Sequence, residues 1–365
     1  MKIKPKIGVI GLKGLPAYGG AATVGENIID QLQNEFDFTV YSISSHTNLQ
    51  TGKYKSYYQL VFRKLPFKKI NTLYYYILSA FHALFFGKYK LIHLHHRDAA
   101  FVIPLLKIRF KVIVTTHGSF VIREKWRTFE WFFSMNEHVF VKKADVVTCV
   151  SMNEKRLYKE KLNLDVQYIP NGFNPFLEKD LVKIDKSNYL FFGAGRIIKS
   201  KGLEILIEAL QQMSFKGKLI VAGDLDQTPD YKKEILRMAN GLDIEFLGLI
   251  KDKNELLSYI QQSRLFIFPS SVEAMSMMLL EGASVKAQIV CSDIQENRDI
   301  FNENEVLFFK TNDSANLSEK IQFALMHESE MQEKSKNAYK KLISNHDWKK
   351  IAGEYSDVYN FCLKN

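Results

Sequence analysis

Two glutamates flank an uncharged apolar run in the second half of the chain. The stretch "VEAMSMMLLEG" places Glu273 and Glu281 eight residues apart, directly after the strand-like stretch "LFIFPSS". We expect Glu273 in the loop after that strand and Glu281 inside the helix that follows. A carboxylate accepts hydrogen bonds from two neighbouring hydroxyls, such as those of a ribose or another sugar. The spacing alone also fits an ordinary loop charge and a helix surface charge.

Two cations precede another predicted helix. In "FFGAGRIIKSKGLEILIEAL", a strand ends in glycines, and Arg196 and Lys201 follow five residues apart just before the helix. Cations at a helix start oppose the macrodipole, so helix stability does not explain them. The arginine fork and the lysine charge could together neutralise a diphosphate. Solvated surface cations are the alternative interpretation.

The first predicted strand runs into a glycine-rich loop. "GLKGLPAYGGAATVGENI" places Gly11, Gly14, Gly19 and Gly20 before a helix. Glycine permits close approach of backbone to a ligand, and the N–H groups of a helix N-terminus bind anions. The strict G-x-G-x-x-G fingerprint is missing, which weakens a nicotinamide or flavin interpretation. A plain turn is the other interpretation of this loop.

Histidines follow two strands of the first half. "KVIVTTHGSF" ends a predicted strand with His117, and "KLIHLHH" places His93 and His95 on one face of another strand. No third ligand stands at a standard spacing from that pair, so the pattern does not predict a metal site. We expect His117 to face the predicted cleft, although a core or loop histidine fits the pattern as well.

Composition limits the class of protein. The 365 residues are 46% hydrophobic and 25% charged, enough for a packed core in two domains. The net charge of +10 favours anionic partners or is simply a solubilising surface. The opening lacks a signal-peptide core, and no window reaches the ~18 apolar residues of a membrane span. Three scattered cysteines are typical of a reduced, cytosolic protein.

Short apolar runs alternate with helical patterns along the whole chain. This alternation predicts an α/β fold of doubly wound parallel sheets. A break at "YIPNGFNPFLEKDLVKIDKSNY" separates two series of strands. We therefore predict domains at residues 1–170 and 171–345, with a cleft between them and a last helix, 346–365, that packs on the first domain.

The motifs taken together resemble a known family. "GLPAYGG", "TTHG", "YIPNG", "GAGRIIKSKG" and "VEAMSMMLLEG" follow the order of motifs in glycosyltransferase family 4, retaining enzymes with the GT-B fold of two Rossmann-like domains. The resemblance covers nearly the whole chain and is nearest to a bacterial branch that builds capsule or exopolysaccharide. Ala274, Met275 and Ser276 stand where the family commonly has Gly-aromatic-Gly, which leaves the donor sugar open.

The resemblance implies a role for each matching position. Arg196 and Lys201 would hold the donor diphosphate, Glu281 the ribose hydroxyls and Glu273 those of the transferred sugar, with His117 near the reacting carbon. Backbone near "LGLIKD" would receive the base. The expected catalytic residues are His117, Arg196, Lys201 and Glu273. The expected donor-binding residues add Gly19, Gly20, Gly195, Met275, Ser276, Met277 and Glu281, and those expected to bind the acceptor are Tyr18, Arg97, Trp126 and Arg127.

The resemblance also implies partners. The donor would be a nucleotide sugar and the acceptor a glycan or lipid-linked glycan, with no cofactor, no metal and no nucleic acid. Residues 62–90 surround an aromatic, apolar segment with Lys and Arg. They would form either a packed helix with basic ends or a face that docks on the inner surface of an anionic membrane. A nucleotide-sugar epimerase and a non-catalytic partner on the same fold remain as alternatives.

Overall fold

The computed structural model describes residues 3–17, 20–66, 70–118, 136–174, 182–184 and 188–364. The chain divides into two compact units. Unit 1 contains Met1–Asn171 and Trp348–Asn365, and unit 2 contains Gly172–Asp347. Each unit has its own sheet and its own core.

Unit 1 is built on an eight-stranded sheet in the order β3-β4-β2-β1-β5-β6-β7-β8. Neighbouring strands are parallel except β3, which pairs antiparallel with β4. The strands are β1 Lys6–Lys13, β2 Asp37–Ile43, β3 Gly52–Lys53, β4 Tyr57–Phe62, β5 Leu91–His95, β6 Lys111–Thr116, β7 Val146–Cys149 and β8 Gln167–Tyr168.

Helices cover this sheet, and one of them comes from the end of the chain. The described α-helices of unit 1 are α1 Gly20–Leu32, α2 Asn71–Phe86, α3 Ile103–Leu106, α4 Met152–Leu162 and α12 Trp348–Lys364. Shorter turns are the 3₁₀ segments Arg97–Val102 and Val141–Lys143 and the π-helical turn Asn136–Phe140. Helix α12 packs on α1 and β5, where Tyr359 lies edge-on to Phe36 with ring centroids 5.3 Å apart.

Unit 2 is built on a six-stranded parallel sheet in the order β11-β10-β9-β12-β13-β14. Its strands are β9 Tyr189–Arg196, β10 Lys218–Asp224, β11 Asp243–Gly248, β12 Leu265–Phe268, β13 Ile289–Ser292 and β14 Leu307–Phe309. Its described α-helices are α5 Leu203–Gln212, α6 Pro229–Met238, α7 Lys253–Gln262, α8 Met277–Ser284, α9 Gln295–Ile300, α10 Ser314–Met326 and α11 Glu328–Asn345. A 3₁₀ turn, Lys199–Lys201, precedes α5.

The hydrophobic pattern explains these elements. In β9 and β12, buried residues follow one another without alternation, as in parallel strands covered on both faces. Helix α5 buries Leu203, Leu206, Ile207 and Leu210, a spacing that places all four on one face. The expected α/β fold with two parallel sheets is confirmed. The sequence patterns missed β4, whose residues are mostly half-buried, and the three-residue β14, too short to show a period.

The strand orders place a switch point in each sheet. In unit 1, β2, β3 and β4 lie on one side of β1, and β5 to β8 lie on the other side. In unit 2, β10 and β11 lie on one side of β9, and β12 to β14 lie on the other side. Ligands of open α/β sheets bind beyond the carboxyl ends of the strands at such a point. The loops after β1, β5, β9 and β12 are therefore where the fold favours a site. Among the residues described, no helix combines the length and apolar content needed to cross a bilayer.

Candidate active site

In unit 2, tight packing joins the loop after β9 to the loop after β12. Gly202, between Lys201 and α5, has φ +71°, and a Cβ there would lie 2.4 Å from the Pro269 carbonyl oxygen. A side chain is therefore excluded both by the backbone conformation and by the neighbour. The Ser271 N–H donates to the Ser200 carbonyl at 2.9 Å. These contacts bring Lys201 beside the loop that carries Glu273.

Lys201 and Glu273 form an ion pair across the switch point. The Lys201 ammonium donates to Glu273 Oε1 at 2.5 Å, although the two residues are 72 positions apart. Their side chains are 23% and 11% exposed, so the pair is largely shielded from water. An ammonium carries three N–H donors and a carboxylate several lone pairs, so both groups keep capacity for a ligand. The sequence predicted both residues, but not that they contact each other.

A second pair joins Glu281 to a residue that the sequence patterns missed. Glu281 lies in the second turn of α8 and is buried, and its carboxylate pairs with the ammonium of Lys253. Lys253 is the first residue of α7, behind Asp252, whose side chain accepts from the N–H groups of Asn254 and Glu255. A cation at a helix start opposes the macrodipole. The same conflict singled out Lys201 and could have identified Lys253.

Arg196 is exposed at the end of β9, in register with Asp224 at the end of β10. Hydrogen bonds from the Gln227 side chain and the Asp226 N–H lower the pKa of the Asp224 carboxyl, and the charge of Arg196 lowers it further. Gly195, next to Arg196, is exposed, and a Cβ built there would meet no atom within 4 Å. The backbone at this strand end is therefore open to a ligand.

Three other residues predicted to bind the donor lie at the start of α8. Ser276 caps the helix, and its hydroxyl accepts from the Leu279 N–H at 3.4 Å. Met275 and Ser276 are buried, and Met277 is half-buried. These residues shape the loop that holds Glu273.

In unit 1, the end of β1 packs against the end of β5. Gly11 has φ +116°, and a Cβ there would lie 1.8 Å from the His95 carbonyl oxygen. Only glycine allows this contact at the switch point. Gly20 is the exposed first residue of α1. Tyr18 and Gly19, which the sequence predicts as ligand-binding residues, lie outside the described residues.

Four histidines gather at the carboxyl ends of β5 and β6. His95 Nδ1 and His117 Nε2 are hydrogen-bonded at 3.0 Å, with their rings nearly parallel. The rings of His93 and His95 are tilted by 38° with centroids 4.0 Å apart, and the ring centroids of His96 and His117 are 5.6 Å apart. His96 has φ +97°, a strained conformation for a residue with a side chain, and such strain is concentrated at functional sites.

Burial keeps three of these imidazoles, those of His93, His95 and His117, uncharged. It lowers the pKa of His93 to about 3, and it lowers the pKa values of His95 and His117 well below the ordinary value, with the neighbouring histidines adding to the effect. Neutral imidazole has one donor and one acceptor nitrogen. At neutral pH His117 is therefore a hydrogen-bonding group and not a cation.

The histidine cluster is tied to the last helix. His93 Nδ1 is hydrogen-bonded to the Tyr359 hydroxyl at 2.8 Å, and His93 Nε2 to Thr115 Oγ1 at 2.7 Å. Thr115 Oγ1 in turn contacts Thr148 Oγ1 at 2.7 Å. No spacing in the sequence predicts the contact of His93 with Tyr359, because 266 positions separate them.

Of the residues predicted to bind the acceptor, Arg97 is half-buried at the start of the 3₁₀ segment that follows His96. Trp126 and Arg127 lie outside the part of the chain that the structure describes. Within that part, no group of three His, Cys, Asp or Glu side chains is placed to bind a metal ion.

Solved structures share this fold. Sucrose-phosphate synthase from Thermosynechococcus elongatus matches with a TM-score of 0.82 at 18% identity, covering 98% of both chains. Anabaena Alr3699/HepE, solved in complex with UDP and glucose, matches with a TM-score of 0.77 at 17% identity, covering 98% of this chain and 99% of that one. Identities this low show the fold alone, which is that of the GT-B class with two Rossmann-like parallel-sheet domains.

Family comparisons identify the protein more closely. Residues 18–175 match the model for Glycosyltransferase Family 4, and residues 176–341 match that for Glycosyl transferases group 1. The chain is a glycosyltransferase composed of these two domains, which confirms the activity expected from its motifs.

Relatives in sequence carry the same activity in their names. An uncharacterized glycosyltransferase of Methanocaldococcus jannaschii is 26% identical, over 94% of this chain and 95% of that one. The N,N'-diacetylbacillosaminyl-diphospho-undecaprenol alpha-1,3-N-acetylgalactosaminyltransferase of Campylobacter jejuni is 27% identical, over 61% of this chain and 56% of that enzyme. The capsular polysaccharide biosynthesis glycosyltransferase CapM of Staphylococcus aureus is 24% identical, over 56% of this chain and 52% of that enzyme.

Proposed function

We propose that this glycosyltransferase moves a sugar, with retention of configuration, from a nucleotide-diphosphate sugar to a glycan or lipid-linked glycan in cell-surface polysaccharide synthesis. The observation that carries the proposal is the pair of Lys–Glu contacts, Lys201–Glu273 and Lys253–Glu281, at the carboxyl edge of the unit 2 sheet. A nucleotide sugar carries the two kinds of group that such a site binds, namely phosphate anions and vicinal hydroxyls.

In this proposal, the residues at the carboxyl edge of the unit 2 sheet bind different parts of the donor. Lys201 and Arg196 bind the diphosphate, Glu273 the hydroxyls of the transferred sugar and Glu281 those of the ribose. Gly195 and the loop formed by Met275, Ser276 and Met277 complete the donor site. Lys253, absent from the sequence predictions, holds the Glu281 carboxylate in place.

The chemistry follows from the charges that develop. The bond between the anomeric carbon and the phosphate oxygen breaks, which leaves positive charge on the sugar and negative charge on the departing diphosphate. The acceptor hydroxyl oxygen bonds to the anomeric carbon on the same face, and its proton passes to the leaving phosphate oxygen. Fixed cations stabilise the developing phosphate charge, and the loss of one such group costs about 3 kcal/mol of barrier. With Lys201 and Arg196 in this role, the proposed reaction uses no metal and no cofactor.

We assign the acceptor to unit 1, with Tyr18, Arg97, Trp126 and Arg127 as its binding residues. His117 contributes a neutral imidazole, which can exchange hydrogen bonds with sugar hydroxyls without attracting the diphosphate. The names of two relatives, one for an undecaprenol-linked glycan and one for capsule biosynthesis, support an acceptor of this class. The proposed enzyme works in the cytoplasm, at the inner face of the membrane when its acceptor is lipid-linked.

A thermal-shift panel with UDP, GDP, dTDP, ADP and CMP tests the donor site. A ligand at a hundredfold its Kd adds about 2.7 kcal/mol to the free energy of unfolding, which raises the melting temperature measurably. We expect one diphosphate to stabilise the wild type, and Glu281→Ala and Arg196→Ala to lose that gain. Arg237→Ala, which removes an exposed arginine from the last turn of α6, is the control and should respond like the wild type. If all three variants respond alike, the proposed donor site is wrong.

A further inference from the structure

Helix α2 has two apolar faces, and the core uses one of them. Tyr75, Tyr76, Ser79, Ala80 and Ala83 are buried against the unit 1 core. The opposite face exposes a row of large apolar side chains four residues apart, extended by one neighbour: Leu73, Ile77, Phe81, Phe85 and Phe86. We refer to these five residues as the α2 row. Since the buried face already anchors the helix, the α2 row is not needed for the fold.

The α2 row is long and strongly exposed. Phe85 and Phe86 are 65% and 72% exposed, and the rings of Phe81 and Phe85 stack with centroids 6.2 Å apart. At ~1.5 Å per residue, the row from Leu73 to Phe85 extends about 18 Å along the helix. Single exposed apolar residues are ordinary, whereas a contiguous patch marks a surface that meets a partner.

The sequence around the row contains cations and no acids. From Phe38 to Arg97 there is no Asp or Glu, whereas an even spread of the 40 acids over 365 residues would place about six or seven in these 60 positions. The same segment holds nine basic residues: Lys53, Lys55, Arg63, Lys64, Lys68, Lys69, Lys88, Lys90 and Arg97. The segment that contains α2 therefore contributes positive charge and no negative charge to this surface.

Exposed cations flank α2 along the chain, and another one contacts α2 from a separate loop. Lys88 and Lys90 are exposed just after the helix, and Arg63 and Lys64 are exposed before it. Arg109 reaches α2 from another loop, where its guanidinium donates to the Leu84 carbonyl at 2.6 Å. The combination of an apolar helix face and flanking Lys and Arg is that of helices that lie in the interface of a membrane containing anionic lipids.

We propose that the α2 row docks this enzyme on an anionic bilayer, with α2 lying in the plane of the interface and its flanking cations on the lipid phosphates. A second copy of the chain fits the same surface less well, because pairing identical patches would bring two positive faces together. The value of docking for catalysis rests on the proposed function, since only a lipid-linked acceptor requires it. The docking itself requires neither donor nor acceptor.

Vesicle flotation without substrates tests the docking. We expect the wild type to float with phosphatidylcholine vesicles that contain phosphatidylglycerol, at low salt only, and not with pure phosphatidylcholine. The Phe81→Gln/Phe85→Gln double variant should bind at least about tenfold more weakly, because two aromatic rings that would transfer from water into the bilayer are missing. Met326→Gln/Ile343→Gln is the matched control, since it removes two exposed apolar residues of unit 2 and should bind like the wild type.

The cations are tested in the same way. Lys88→Gln/Lys90→Gln should bind more weakly, by severalfold, since each juxtamembrane cation contributes to the attraction for anionic lipid. Lys336→Gln/Lys340→Gln, two exposed lysines of α11, should bind like the wild type. Melting temperatures equal to that of the wild type show that the variants are folded.

Three results would overturn the proposal: no flotation with anionic vesicles, equal flotation of the α2 row variant and its control, or concentration-dependent dimers in sedimentation that the α2 row variant abolishes. The last would make the row an interface between copies. Lys201→Met separates this inference from the proposed function, because it should weaken donor binding and leave flotation unchanged. A failure of the donor assays would therefore not affect the docking result.

Discussion

Replacing Glu273 by Gln changes the charge that faces Lys201 while it keeps the shape of the side chain. The Lys201 ammonium donates to Glu273 Oε1 at 2.5 Å. In our proposal a donor diphosphate draws the same ammonium toward phosphate oxygen, so the carboxylate and the diphosphate compete for it. Removing the carboxylate charge should favour the diphosphate.

The structure sets the size of this effect. Exposed ion pairs contribute up to about 1 kcal/mol, and removal of one partner of a fully buried pair costs about 3–5 kcal/mol. Side chains that are 23% and 11% exposed place this pair between the two limits. We expect Glu273→Gln to lower the free energy of unfolding of the unliganded protein by about 1–2 kcal/mol. The Kd for a nucleoside diphosphate without its sugar should fall about fivefold, which corresponds to about 1 kcal/mol.

Sugar transfer should change in the opposite direction. In the proposed site, Glu273 accepts hydrogen bonds from the sugar, and a hydrogen bond to a charged group contributes about 1.5–3 kcal/mol. Glu273→Gln should therefore lower kcat/KM by about ten- to a hundredfold, while nucleoside diphosphate binds more tightly. Lys201→Met should weaken both diphosphate binding and transfer.

Isothermal titration with the nucleoside diphosphate and a transfer assay measure the two effects. Glu245→Gln is the matched control, because it removes the carboxylate of another Lys–Glu pair in unit 2, whose Lys218 Nζ and Glu245 Oε2 are 3.5 Å apart. It should alter neither binding nor transfer. If Glu273→Gln weakens diphosphate binding as much as Lys201→Met does, Glu273 positions Lys201 instead of competing for it, and the charge argument is refuted.

Two further predictions concern stability, and urea unfolding measures both. Lys253→Met leaves the buried Glu281 carboxylate without its ammonium and should lower the free energy of unfolding by about 1–2 kcal/mol, most of which a second change, Glu281→Gln, should restore. Glu281→Gln alone should cost less than about 1 kcal/mol, because the Lys253 side chain is 50% exposed and water can solvate it; equal costs for the two single variants would contradict this. Burial lowers the pKa of His93 to about 3. Below about pH 6.5 this imidazole therefore binds a proton in the unfolded chain and stays neutral in the folded chain. The contribution of His93 to the free energy of unfolding should be fully present above that pH and fall by about 1.4 kcal/mol per pH unit below it. In His93→Gln, the free energy of unfolding should fall less steeply with decreasing pH. Equal slopes for the variant and the wild type would show that His93 is protonated in the folded protein.

Much of the fold could be predicted because its determinants are local. A strand such as β12 is recognised from four consecutive apolar residues bounded by Arg264 and Pro269, and α5 from apolar residues that recur on one face. The alternation of such segments defines parallel sheets, since parallel strands require crossover helices. Elements without a local signal were missed, as β4 and β14 show.

The site was predicted in part, for the same reason. Arg196 and Lys201 stand out because cations at a helix start conflict with a local rule, and Glu273 and Glu281 because they bound an uncharged run. Neither pattern indicates a partner. Lys253 breaks the same rule as Lys201, but that rule does not indicate its contact with Glu281, and the spacing of His93 and His95 on one strand does not indicate that His95 contacts His117.

The sequence by itself determined the types and order of the elements, the chemical character of each loop and the class of reaction. The tertiary structure alone decided which loops meet. Lys201 reaches Glu273 because β9 and β12 are neighbours in the sheet, and His95 reaches His117 because β5 and β6 are. Propensity, capping and periodicity act over a few residues, whereas strand order and register depend on the packing of the whole sheet. Contacts across 72 or 266 positions are therefore set by that packing.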